Sequence, residues 1–340
     1  MRLRVTICRA RQSAIEKVER MRAVVASEED VSQALMELGG YARGLVGSKD
    51  YRFGHAFVST TQMIKEGKSR QLFAKVRNKL LHGWTNDDLR SPEWRSYVEG
   101  RLSNNSNRAP LDPEATITVY TCVTGGYDSI PPAFPCVLEG ERVRFVAFVD
   151  DLSVELIGWE RASIPGYLRK LSPQGQNRYI KLHPDEFCSS DFSVYVDGNL
   201  WLLDDPRWMC EIARDSNIGF AIFAHALRDT IAKEYQACLV LGKGSPEGLK
   251  RQYDRACDLG IENAQGLYEA PVLVSDLKNE KQMELYKYWW DEFSQNGFQR
   301  DQLALPCAMK VCAFSCDDVG LLGSDVRVDP RILRREHQIA

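Results

Sequence analysis

Three short runs of β-branched and aromatic residues, ATITVYTCV, RVRFVAFVD and FSVYVDGNLWLL, each meet a glycine or an aspartate, and helical or irregular stretches separate them. Strands buried on both faces read this way, whereas a strand with one wet face alternates apolar and polar residues. Strands alternating with helices from Ile117 onward predict an α/β domain around a mostly parallel sheet flanked by helices. The stretch GFAIFAHALRDTIAKEYQACLVL reads as one long helix, because Phe220, Phe223, Leu227, Ile231, Tyr235 and Cys238 fall on one face. SPEGLKRQYDRACDLG and EKQMELYKYWWDEFSQNG read as two further helices.

Upstream, from about Ser13 to Tyr97, apolar residues recur at three- and four-residue intervals, which predicts an α-helical module. Then EGRLSNNSNRAPLDPEA is polar and rich in Asn, Ser and Pro, as a linker would be. The expected organisation is a helical module over 1–100, a linker over 101–115, the α/β domain over 116–316 and a tail over 317–340. At 340 residues the chain has room for both units.

The formal net charge of −3 conceals an asymmetry: residues 1–110 carry +8 and the remainder −11. A basic surface can face nucleic acid, anionic lipid or an acidic neighbouring domain. A solvated helical face is the simpler account, so no nucleic-acid partner is expected. Peripheral contact with the inner face of a membrane and a homodimer through the N-terminal helices stay open as partners. No apolar run approaches the ~18–20 residues that span a bilayer, and MRLRVTICRARQSAIEKVER turns charged too early for a signal peptide; a cytoplasmic location is expected. The ten cysteines form no C-x-x-C pair, and Cys307, Cys312 and Cys316 match no standard zinc spacing, so reduced thiols are expected.

In open parallel sheets ligands bind beyond the carboxyl ends of the strands. The first strand ends in TGGYDSI, where Thr124, Gly125 and Gly126 let backbone approach a ligand and Tyr127 offers a ring for stacking; a plain turn is the alternative. The second ends in Asp150 and Asp151, acceptors for ribose or base donors, or simply a cap. The third ends in Asp197-Gly198-Asn199. Asp-Gly is a strong turn dipeptide, yet a carboxylate and an amide oxygen also suit a hard divalent cation. His225 and Arg228, read as one helical turn apart, would reach the same side. Arg178 and Lys181 precede the third strand and would steer an anionic donor, or form a solvated basic face. Arg300, Asp301 and Gln302 stand where a helix begins, so Asp301 is either a cap or a proton acceptor. Glu269 in GLYEAP is the other candidate carboxylate. Trp289 and Trp290 suit a sugar-stacking wall, although paired helical tryptophans usually serve a core.

The blocks YTCVTGGYDSI, FVAFVDD before GWE, SVYVDGN, HALRD with a later glutamate, GLYEAPVLV and WWDEFSQNGFQRDQLAL occur in an order that resembles a glycosyltransferase-like domain family. This family includes plant mucilage- and turgor-related proteins and bacterial polysaccharide-locus proteins, formerly grouped as a domain of unknown function. The resemblance spans about residues 116–312 and does not reach the N-terminal helices. It implies a GT-A-like fold and a transferase that moves a sugar from a nucleotide-sugar donor, a UDP-sugar foremost, to a glycan or lipid-linked acceptor. It also implies a divalent cation, Mn²⁺ or Mg²⁺, bridging the donor diphosphate. VDGN then stands in place of the usual D-x-D, with Asp197, Asn199 and His225 as metal ligands. The donor contacts implied are Thr124, Gly125, Gly126, Tyr127, Asp150, Asp151, Arg178, Lys181, Arg228, Arg300 and Gln302. Asp301 is the leading catalytic carboxylate, followed by Glu269. Two rivals are a non-catalytic nucleotide-sugar or glycan-binding module, and a hydrolase using Asp197 and Asp301 as paired carboxylates roughly 5–10 Å apart.

Overall fold

The computed structural model describes residues 90–126, 128–133, 142–297 and 299–335. The helices expected before residue 90, and Tyr127, lie outside the described residues. Everything described belongs to one compact unit, Ser69–Ala340.

β1 (Ile117–Val123), β2 (Val143–Val149) and β4 (Phe192–Val196) follow the sequence pattern, and with β3 (Glu160–Ser163), an edge strand the pattern does not mark, they pair in parallel. A short strand β5 (Leu200–Leu202) follows, then β6 (Phe220–Ala224) and β7 (Tyr268–Asp276), with β8 (Gly320–Leu321) and β9 (Ile332–Arg334) near the end. The main sheet has the order β3-β2-β1-β4-β7-β6-β8, and β5 pairs with β9 in a separate two-stranded ribbon. β7 is antiparallel to both β4 and β6, so β6 points the same way as β4. The carboxyl ends of β1, β2, β4 and β6 therefore share one edge with the amino end of β7.

Helices cover both faces, as continuous apolar strands require. On one face Tyr120, Phe148, Tyr195, Phe220 and Ile222 pack with Ile180 of α2 (Pro173–Leu182), Trp289 and Phe293 of α7 (Glu280–Gln295), and Ala304 and Ala308 of α8 (Asp301–Val311). On the other, Val119, Phe145, Val194, Phe223 and Val272 pack with Met209, Cys210 and Ile212 of α4 (Arg207–Arg214). The remaining helices are α1 (Pro92–Ser103), α3 (Pro184–Phe187), α5 (Ile231–Leu241) and α6 (Pro246–Asp258). Their starts follow local chemistry: Ser91, Ser172, Thr230 and Ser245 each accept a hydrogen bond from an N–H in the first turn. Pro follows the cap in α1, α2 and α6.

One expectation is corrected here. The long helix read over Gly219–Leu241 is a strand, a turn and a shorter helix. All five residues of β6 are fully buried, with Phe220 and Ile222 on one face and Ala221 and Phe223 on the other. A run buried on both sides shows no alternation, and an apolar run this short fits a strand and a buried helix equally by periodicity. Burying each phenylalanine contributes roughly 1.5–3 kcal/mol, so packing settles the matter.

The segments read as linker and tail are docked. Arg101 donates to the carbonyls of Cys316 and Val319, and Leu111 and Ala115 are buried. Beyond residue 316, Val319, Leu322, Val326 and Ile332 join the core. The cysteines described are free, most of them buried. Among the described residues no helix is long and apolar enough to cross a membrane.

Candidate functional site

The shared edge carries its functional side chains on the ends of β1, β2, β4 and β6, the start of β7, and the helices α2, α5 and α8. After β1, Gly125 and Gly126 sit at φ +68 and +65, a left-handed conformation that a side chain would strain. Gly125 N–H donates to Asp150 Oδ2 at 2.8 Å, and Thr124 Oγ1 donates to the Pro173 carbonyl at 2.7 Å. The glycine turn is thus tied both to the end of β2 and to the start of α2. Asp151 has a local role: it is exposed and accepts from Ser153 N–H and Oγ. After β4, Leu200 N–H donates to the Asp197 carbonyl at 2.9 Å, closing a turn. A Cβ at Gly198 would collide with Val123, so the glycine serves close backbone approach.

The α2 helix delivers Arg178 and Lys181 to this edge, and α8 delivers Asp301. Lys181 is no solvated surface lysine. Its side chain is 1% exposed, with Nζ 3.1 Å from Asp301 Oδ2, 3.7 Å from Asp197 Oδ1 and 4.9 Å from the centre of the Tyr195 ring. Arg178 Nε pairs with Asp301 Oδ2 at 2.9 Å. Burial alone would raise the Asp301 pKa, but Arg178, Lys181 and Arg300 outweigh it and hold the carboxyl well below the usual range. Expected to accept a hydroxyl's proton, Asp301 is instead a firmly ionised counter-ion.

A second corner forms where β6 ends beside the start of β7. His225 and Arg228 lie on the loop after β6, since the helix expected there starts only at Ile231. His225 Nδ1 accepts the N–H groups of Leu227 at 3.2 Å and Arg228 at 2.9 Å. The imidazole proton is thereby assigned to Nε2, which faces Glu234 Oε2 at 3.4 Å and Glu269 Oε1 at 3.9 Å. Burial, with Arg228, Arg327 and Lys243 nearby, outweighs Glu234 and lowers the His225 pKa to about 3. The ring is neutral. Glu269 accepts the Ala226 N–H at 3.0 Å, and burial raises its pKa despite Arg327 and that hydrogen bond.

Arg300 joins the two corners. Its guanidinium lies 3.8 Å from Glu234 Oε1 and donates to Gln302, while the next residue is Asp301. Glu234 also binds Arg228 Nε at 2.5 Å. Inspection of the sequence missed this residue as a hub, although it sits on the buried stripe of α5 with Ile231, Ala237 and Cys238. A glutamate on an apolar stripe was the available signal. Lys243 was also missed: loss of water around its ammonium, and the like charges of Arg300 and Arg228, lower its pKa.

Two expected roles do not fit. Asn199 is buried; its side-chain Nδ2 donates to the Arg335 carbonyl at 3.1 Å and its main-chain carbonyl accepts the Arg335 N–H at 2.8 Å. With both His225 nitrogens facing protein groups and an ammonium beside Asp197, the expected metal ligands do not make a cation site. Among the described residues no three His, Cys, Asp or Glu side chains are placed to share a metal. Trp289 is fully buried and donates from Nε1 to the Asp301 carbonyl at 2.8 Å, so it supports α8 and offers no sugar-stacking surface. Trp290 packs edge-on against Tyr179.

No family model matches the chain, and no curated protein matches it. Among solved structures, it is similar to the galactosyltransferase LgtC in complex with donor and acceptor sugar analogs, at 13% identity over 62% of this chain and 74% of that one, with a TM-score of 0.33. An active-site mutant of LgtC gives 12% identity over 62% and 74%, with a TM-score of 0.32. Mouse xyloside xylosyltransferase 1 in its apo form gives 7% identity over 61% and 84%, with a TM-score of 0.36.

Proposed function

We propose that the protein transfers a sugar from a nucleotide-sugar donor to a glycan or lipid-linked acceptor, at the carboxyl edge of its GT-A-like sheet. The observation that carries this reading is the joining of two unlike corners by Arg300. One corner concentrates cations around an ionised aspartate, and the other holds a neutral histidine beside a carboxyl of raised pKa.

Glycosyl transfer needs both. As the bond from the anomeric carbon to the diphosphate breaks, the electron pair leaves with the diphosphate, and nearby fixed cations stabilise the growing negative charge. The acceptor hydroxyl forms the new bond through its oxygen and gives up its proton. Glu269 is placed in this reading to take it, since a carboxylate of raised pKa is the better base. His225 orients Glu269 and Glu234 from between them. The paired Gly125 and Gly126 admit the donor close to backbone, and Asp150 holds their turn.

Titration calorimetry with UDP-, GDP- and CMP-sugars, followed by turnover assays on glycan and lipid-linked acceptors, tests the reading. Binding of a UDP-sugar with slow donor hydrolysis is the expected result. If none of the three donors binds, the reading fails; if a donor binds and is never turned over, the chain is a nucleotide-sugar-binding module.

A further inference from the structure

We infer that the donor diphosphate is held by the side-chain cations Arg178 and Arg300, with the Lys181 ammonium standing where a divalent metal at Asp197 would be; this rests on the transfer reading above.

The Asp197 carboxylate already has a cation. Lys181 Nζ lies 3.7 Å from its Oδ1, is 1% exposed and is pinned by Asp301 Oδ2 at 3.1 Å on its other side. A divalent ion bound to Asp197 would stand beside that ammonium, and the two like charges would repel. Lysine has no room to leave, because its aliphatic stem is enclosed and its ammonium lies against the Tyr195 ring. The other expected ligands have protein partners: Asn199 Nδ2 donates to the Arg335 carbonyl, and His225 faces backbone N–H groups on one nitrogen and carboxylates on the other.

Arg178, Lys181, Arg228, Arg300 and Lys243 are gathered around Asp197, Asp301 and Glu234. Arg300 also keeps a donor in reserve: its Nε is buried and without a hydrogen-bond partner. The side chain as a whole is 22% exposed, and an arginine fork suits phosphate oxygens. Arg178, 20% exposed, opens on the same cluster.

The test is calorimetry on the full chain with UDP, GDP, CDP and inorganic pyrophosphate as probes, each in EDTA and in Mn²⁺. At least one nucleoside diphosphate should bind in EDTA, with a Kd within about threefold of that in Mn²⁺. Arg300→Gln should weaken it about ten- to hundredfold, the loss of one charged hydrogen-bond donor. Arg300 is partly exposed, so a thermal melt should show that variant folded. Asp197→Asn discriminates most sharply: removing a negative charge beside the phosphates should tighten binding about threefold, whereas a metal site would be destroyed. Binding seen only with Mn²⁺ and abolished by Asp197→Asn would overturn the inference and leave the transfer reading standing. No binding of any probe in either condition would overturn both.

Discussion

The Asp301 corner and the Glu269 corner lie on one sheet edge, and each buries a carboxyl group. At Asp301 two cations sit within 3.1 Å, and they keep the group ionised against the pull of burial. At Glu269 the nearest polar partners are an N–H and a neutral imidazole, and burial prevails. Two buried carboxyl groups thus have opposite shifts in proton affinity, decided by which neighbours carry charge. One corner is built to hold an anion's counter-charge, the other to exchange a proton. Environments that push two carboxyl groups apart in this way are how acid and base roles are divided in many active sites.

The contrast can be broken most severely at Glu269. Glu269→Gln keeps an oxygen for the Ala226 N–H but cannot take a proton, and should cut turnover about 10²- to 10⁴-fold with donor affinity little changed. If Asp301→Asn instead gave the loss with intact donor binding, the two roles would have to be exchanged. Next is Lys181→Met, which leaves Asp301 and Asp197 without their shared cation; urea unfolding should show about 3–5 kcal/mol of lost stability.

A pH series sharpens the contrast further. The folded pKa of Asp301 is depressed, so its contribution is complete above its unfolded pKa, about 3.9, and is lost as pH falls through the lower folded value. His225 is also depressed, from 6.5 to about 3, and there the unfolded chain binds the proton first. Stability should therefore fall by up to about 1.4 kcal/mol per pH unit as pH drops from about 6.5 toward 4, and His225→Gln should flatten that slope while Asp301→Asn leaves it. Asp151→Asn sets the baseline. Its carboxylate caps only its own exposed turn, so neither turnover nor the unfolding midpoint should move.

The parallel half of the sheet was legible because β1, β2 and β4 pair β-branched runs with abrupt Gly or Asp stops. β6 was not, since fully buried strands and buried helices share a composition, and Phe220, Phe223 and Leu227 happen to fall at helical spacing. With β6 misread, His225 and Arg228 were assigned to a helix face, yet they still reach the shared edge because β6 points the same way as β4. Lys181 shows a different limit. Nothing in QNRYIKLHP distinguishes a buried ammonium from a solvated one; the deciding partner, Asp301, is 120 residues away in sequence. Asn199 looked like a ligand because its amide has the right atoms, but its partner is a backbone stretch beyond the resemblance.

That last contact sets a schedule. The turn bearing Asp197 is completed by Asn199 and Arg335, 136 residues apart, and by β9 lying along β5. Proteins emerge from the ribosome amino end first, at about 5–20 residues per second. The sheet edge around Asp197 is therefore complete only when residue 335 has been delivered.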